Sequence, residues 1–184
     1  VLFPGSTVKI MTCFLALENT QLTDEVTMTA TGVSGVTDGG ASISSQVDEV
    51  FTVEQCLYAI MVASANDIAL QIAEHVGGSV DGFVQQMNTR AQELGCTNTV
   101  FTNPTGLPDD NQHTTAHDMA LIMQAAIQNE SFRTIAAATS YTIPATNKAA
   151  ARNLTSKFTM TDTGSTGFYE GCIGGKEGYT EASG

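Results

Sequence analysis

The chain has 184 residues, with 7 Lys and Arg against 19 Asp and Glu and a formal net charge of -12 at pH 7. That balance, without any basic run or stripe, argues against a nucleic-acid partner, while the 42% apolar content is enough for one core. No run of about eighteen apolar residues occurs and no export signal precedes Val1, so the sequence predicts neither a membrane span or anchor nor a signal peptide within this chain.

Pro4-Gly5 break any preceding regular structure, and the apolar run from Val8 through Leu17 predicts a helix that starts at or just after Ser6. Val26 to Ala30 alternates like a short strand, and Gly32 to Ser45, rich in Gly, Ser and Thr, reads as loop. Thr52 with Gln55 forms a capping box ahead of a helix over Val53 to Ala63, and a further helical stretch from Asp67 to Val76 ends at Gly77-Gly78. Ser79 caps a helix that runs to Leu94 and is terminated by Gly95. Thr115 with Asp118 caps another, Ala116 to about Ile127, and Ser131 opens a short one. Tyr141 to Pro144 reads as extended, and Cys172 to Tyr179 as a sheet strand. Met11, Met61, Met87, Met119 and Met123 fall on apolar helical faces, where they fill the core.

Three short motifs stand in fixed order on this framework: Ser6-Thr7-Val8-Lys9, Ser64-Ala65-Asn66 and Lys176-Glu177-Gly178. A hydroxyl and an amine three residues apart on a helix share one face, so Lys9 can take the proton of Ser6 and make it a nucleophile. A helix N-terminus also favours developing negative charge through its free N–H groups and dipole. Ser64 and Asn66 lie at the break between two helices. They offer a second hydroxyl for proton relay and an amide for a substrate carbonyl, while Lys176 offers a positive charge for a carboxylate. Ser-x-x-Lys alone is as well explained by a helix cap and a surface lysine. The three motifs together outline a serine acyl-transfer site.

The histidines suggest a competing chemistry. His113 and His117 are four apart, as metal ligands on a helix are, but Thr114 stands where a zinc protease has Glu, so no metal is expected. His117 reads as an exposed helix residue and His75 as a partner for a helix C-terminus. Cys13, Cys56, Cys96 and Cys172 form no Cys-x-x-Cys pair, so a zinc or redox site is not expected; buried free thiols are the favoured reading, a disulfide the alternative.

Phe3-Pro4-Gly5-Ser6-Thr7-Val8-Lys9-Ile10-Met11-Thr12 and Phe101-Thr102-Asn103-Pro104-Thr105-Gly106-Leu107 resemble segments of the D-alanyl-D-alanine carboxypeptidases, the low-molecular-mass penicillin-binding proteins. So do His113-Thr114-Thr115-Ala116-His117-Asp118-Met119-Ala120 and Gly174-Gly175-Lys176-Glu177-Gly178-Tyr179-Thr180. The resemblance implies an α+β fold, an antiparallel sheet flanked by helices plus an all-helical lobe, with the site in the cleft between. Residues 1–184 would then be one truncated catalytic domain whose sheet is incomplete. It implies Ser6 as nucleophile, Lys9 as base, Ser64 as proton relay and Asn66 as holder of the peptide. Lys176, Glu177 and Gly178 would line the substrate carboxylate, and His113, on a loop, would help to shape the cleft. The expected substrate is the peptidoglycan pentapeptide, the expected inhibitors are β-lactams, no cofactor is implied, and the family places the protein outside the cytoplasmic membrane.

One position departs from the family. Its third motif usually reads Lys-Thr-Gly, with a hydroxyl that donates to the substrate carboxylate, and here the position is Glu177, an acceptor when ionised. Three readings follow: Glu177 turns onto Lys176 or another basic group and leaves activity intact, it redirects specificity away from a free carboxylate, or the chain is a catalytically impaired muropeptide-binding homologue. A β-lactamase is the nearest enzymatic alternative, but the Glu-x-x-Leu-Asn segment that activates water in one class of those enzymes does not occur.

Overall fold

The computed structural model of the chain describes residues 2–35 and 40–181. Gly5–Val8 is one 3-10 turn that feeds directly into α1, Lys9–Asn19. Every residue of α1 from Lys9 to Ala16 is buried, so this helix is the central rod rather than an amphipathic surface helix. Around it pack α3 (Val53–Val62), α4 (Asn66–Gly77), α5 (Val80–Glu93), α6 (Ala116–Ala126) and α7 (Glu130–Ala136).

The predicted helix starts are observed. Thr52 and Gln55 make both bonds of the capping box, Ser79 accepts from the Gly82 N–H, and Thr115 accepts from the Asp118 N–H. Each bond satisfies an N–H that the first helical turn leaves without a partner. The start of α7 differs: Asn129, not Ser131, caps it by accepting from the Phe132 N–H. The region read as strand and loop also differs. The strand β1 stops at Thr27 (Glu25–Thr27), and α2 occupies Ala30–Ser34, while residues 36–39 of the expected loop lie outside the described residues. A tertiary contact decides this: Thr29 caps α2, and the Thr29 and Thr31 hydroxyls donate to Glu74 on α4.

Among the described residues the strands form two antiparallel pairs. In one, β1 lies against β2 (Val50–Thr52), with Val26 opposite Phe51. In the other, β3 (Ser140–Ile143) lies against β4 (Arg152–Thr155), with Ser140 opposite Thr155. The expected extended stretch at Tyr141 is therefore present, and the Tyr141 ring stacks on Tyr58 of α3 at 3.9 Å between centroids. The expected strand over Cys172 to Tyr179 is not formed. That segment lacks a ladder partner among the described residues and is held by single bonds, such as the Gly175 N–H to the Ala136 carbonyl at 3.1 Å.

Cys13, Cys56 and Cys96 are buried and Cys172 is half-buried, and all four are free thiols. Burial pushes the Cys13 and Cys56 thiols far above their ordinary range, so they behave as small apolar groups. Met11, Met61 and Met87 are in the core, and Met119 and Met123 pack against it.

One ion pair fastens the two strand pairs together. Arg152 on β4 reaches the fully buried Glu49 carboxylate with two bonds, at 2.7 and 3.0 Å, and the Thr146 hydroxyl adds a third at 2.6 Å. Burial alone would raise the Glu49 pKa, but the bonds from Arg152, Thr146 and the Gln46 N–H outweigh it and hold the carboxyl below its usual range. The pair is therefore at full strength at neutral pH, and its contribution is lost as the pH falls through that lowered value. Arg152→Ala would leave the carboxylate buried without its counter-charge. Urea unfolding at pH 7 is expected to show a loss of about 3–5 kcal/mol, the usual result of removing one partner from a buried pair.

Candidate active site

Ser6 sits in the 3-10 turn and Lys9 opens α1, so their side chains meet one turn apart, with Lys9 Nζ 3.2 Å from Ser6 Oγ. Lys9 is fully buried. Its ammonium has three protons, and two further acceptors complete the set: Asn66 Oδ1 at 2.7 Å and the Thr105 carbonyl at 2.6 Å. Burial, followed by the nearby charge of Lys176, lowers the Lys9 pKa from 10.5 to about 7.

That arrangement determines where the lone pair of a neutral Lys9 must go. The Thr105 carbonyl and Asn66 Oδ1 only accept, so they keep the two remaining N–H groups, and the lone pair is left facing the Ser6 hydroxyl. The geometry thus turns a general lysine into a base aimed at one proton.

Each acceptor is positioned by its own local structure. Asn66 is the first residue of α4, and its N–H donates to the Ala41 carbonyl at 2.7 Å. Next to it Asp67 accepts from the Ser42 hydroxyl, the Ser45 hydroxyl and the Ser45 N–H, which fixes the loop before β2 against the helix. Thr105 belongs to a loop organised by Asn103, whose Oδ1 accepts from the Thr105 and Gly106 N–H groups and whose amide donates to the Leu107 carbonyl. The Thr12 hydroxyl, one turn beyond Lys9, ties the same loop to α1 through the Pro104 carbonyl at 2.8 Å. Gly106, at φ 84°, lies so close to the Gly5 carbonyl that a side chain there would collide with backbone.

A cavity of about 260 Å³ opens over these groups, lined by Ser6, Ser64, Asn66, Thr105, Lys157 and Glu177 among others. Ser64 stands between α3 and α4 with φ 58°, a left-handed conformation that a serine adopts at a cost of roughly 1–2 kcal/mol. Lys176 is buried behind the cavity, and its ammonium bonds the Glu177 carboxylate and the Glu177 carbonyl, each at 2.8 Å. Burial lowers the Lys176 pKa, and Glu177 opposes the shift. Gly178 packs against the turn that carries the nucleophile: a Cβ there would lie 3.0 Å from the Ser6 and Thr7 nitrogens.

Of the residues expected from sequence, Ser6, Lys9, Ser64, Asn66, Lys176, Glu177 and Gly178 are brought together. His113 is not: its backbone bridges Val100, its ring Nδ1 contacts the Asn111 carbonyl at 2.9 Å, and it is not among the residues that line the cavity. Nor does it share a helix with His117, because α6 starts at Ala116; the His117 side chain is 78% exposed. Thr105, Lys157, Tyr179 and Thr180 line the cavity without having been singled out in the sequence. The Asn-Pro-Thr-Gly pattern was the available signal for Thr105, while Lys157 gave none.

Comparison with known proteins agrees with this geometry. The chain is 33% identical over 185 residues to the D-alanyl-D-alanine carboxypeptidase DacB2 of Mycobacterium tuberculosis, covering 98% of this chain and 59% of that protein. It is 37% identical over 135 residues to DacF of Bacillus subtilis, covering 71% of this chain and 34% of that protein. Among solved structures it is similar to the Streptomyces K15 DD-transpeptidase, with a TM-score of 0.88 at 28% identity over 98% of this chain and 72% of that one. A D-alanyl-D-alanine carboxypeptidase from M. tuberculosis matches with a TM-score of 0.85 at 30% identity, over 98% of this chain and 65% of that one. The fold is therefore the α+β fold of these penicillin-binding enzymes, and the chain spans between 34% and 59% of the length of these two curated relatives. Residues 1–184 match the family described as D-alanyl-D-alanine carboxypeptidase, and the chain belongs to that family.

Proposed function

We propose that residues 1–184 are part of one catalytic domain that removes the terminal D-alanine from peptidoglycan stem peptides through a Ser6 acyl-enzyme, outside the cytoplasmic membrane, and that β-lactams acylate the same serine. The observation that carries this reading is the bonding of Lys9, which leaves its lone pair for the Ser6 hydroxyl. Among the described residues no helix is long and apolar enough to cross a membrane.

In this mechanism Ser6 Oγ attacks the carbonyl of the penultimate D-alanine while its proton passes to Lys9. The oxyanion is held by the Ser6 N–H and an N–H of the segment bearing Lys176, in a site already closed to water on the side of α1. The C–N bond then breaks, and Ser64 hands a proton to the departing D-alanine amine. Water attacks the ester and returns the Ser6 proton through Lys9. Asn66 has a double task, since its carbonyl accepts from Lys9 while its amide is free to hold the peptide. The Lys176–Glu177 ion pair supports the reading in which Glu177 turns onto its neighbour and leaves catalysis in place.

Incubation with benzylpenicillin followed by intact-mass measurement is expected to give one covalent adduct on the chain and none on Ser6→Ala, with circular dichroism showing both folded. A folded chain that stays unmodified would favour the impaired binding homologue, and rapid turnover of penicillin would favour a β-lactamase. The rate of adduct formation is also expected to follow the neutral form of Lys9. It should rise about tenfold per pH unit below the transition and level off above an apparent pKa of about 7. The same shift has a sign for stability. Between about 7 and 10.5 the unfolded chain holds a proton that the folded one has released, so the contribution of Lys9 to stability improves as the pH rises through that window.

A further inference from the structure

The protein carries a formal charge of -12, yet its expected substrate and inhibitors are anions, so a free cation on the cavity wall is needed to hold them. Seven Lys and Arg are available. Arg90 is engaged by Glu18 and Glu93, Arg152 by Glu49, and Arg133 by the Ile127 and Gln128 carbonyls. Lys9 spends its protons on Ser6, Asn66 and Thr105. Lys148 lies between β3 and β4 and does not line the cavity.

Lys176, which the sequence marks for the carboxylate, is also engaged. Its ammonium is buried and bonds twice to its own neighbour, once to the Glu177 carboxylate and once to the Glu177 carbonyl. What the cavity meets at this place is Glu177, whose second oxygen, Oε2, is shielded and has no hydrogen-bond partner among the described residues. A substrate carboxylate placed there would face a like charge. That leaves Lys157, two residues beyond β4, exposed, lining the cavity with Ser6, Tyr179 and Thr180, and without a hydrogen bond or ion pair among the described residues.

We propose that Lys157, and not Lys176, is the group that receives the substrate carboxylate, because Glu177 has neutralised Lys176 from within the third motif. The proposal rests on the acyl-enzyme reading above and names the specificity residue of that site. Lys176 then acts at a distance from the substrate, as a buried charge that depresses the Lys9 pKa, and Glu177 balances the two lysines.

The test compares benzylpenicillin with its methyl ester, which lacks the carboxylate, by the second-order rate of adduct formation on the original chain, Lys157→Ala and Lys157→Arg. The original chain is expected to favour the acid by about tenfold, the value of one charge-assisted bond. Lys157→Ala should bring the acid rate down to that of the ester, and Lys157→Arg should keep most of the preference. Equal preference in Lys157→Ala and the original chain overturns the proposal, as does an original chain that does not distinguish acid from ester. Absence of any adduct from either compound overturns the acyl-enzyme reading itself, and the proposal with it. Because Lys157 is exposed, its replacement does not disturb the core, and circular dichroism of each variant verifies this.

Discussion

Lys9 has no contact with water, and a buried ammonium needs an acceptor for each of its protons. The three acceptors come from residues 6, 66 and 105, segments far apart in the chain, so the site can assemble only when the fold does. This explains why α1 is buried on all sides and why two loops are bound so tightly to its neighbours. Asp67 fixes one of them against α4, and Asn103 shapes the other before Thr12 pins it to α1. The same burial gives Lys9 its chemistry, since a lysine left in water would stay protonated near neutral pH.

Charge is distributed around this lysine in two layers. Behind the cavity, Lys9 and Lys176 lie close enough to depress one another, and Glu177 supplies the anion that makes two buried lysines tolerable. On the cavity wall, Glu177 and Lys157 are the charged side chains that a ligand meets. A threonine at position 177 would provide a donor but no counter-charge. The departure from the family pattern thus alters the electrostatics of the base as well as the binding of the substrate.

Features legible in the sequence were those set by neighbours along the chain. Ser6 and Lys9 are three residues apart, and the capping residues Thr52, Ser79 and Thr115 bond within their own first turn. Features set by distant partners were misread or unseen. The α2 helix depends on Glu74, the Glu49–Arg152 pair joins residues 103 apart, and Lys157 acquires significance only when β4 delivers it to the cavity. The segment over residues 172–179 shows the limit most clearly. Its apolar and glycine content suits a strand, but a strand exists only with a partner, and composition does not encode that partner.

The four thiols carry a practical consequence. Three are buried, and the burial that keeps Cys13 and Cys56 protonated also removes them from reaction with electrophiles. Cys172 alone is half-buried, four residues before Lys176, on the segment that closes the back of the cavity. The native protein therefore contains a natural attachment point for a thiol-directed fluorophore or spin label. A reporter placed there would register movement of this segment as ligands enter, without any cysteine having to be added or removed.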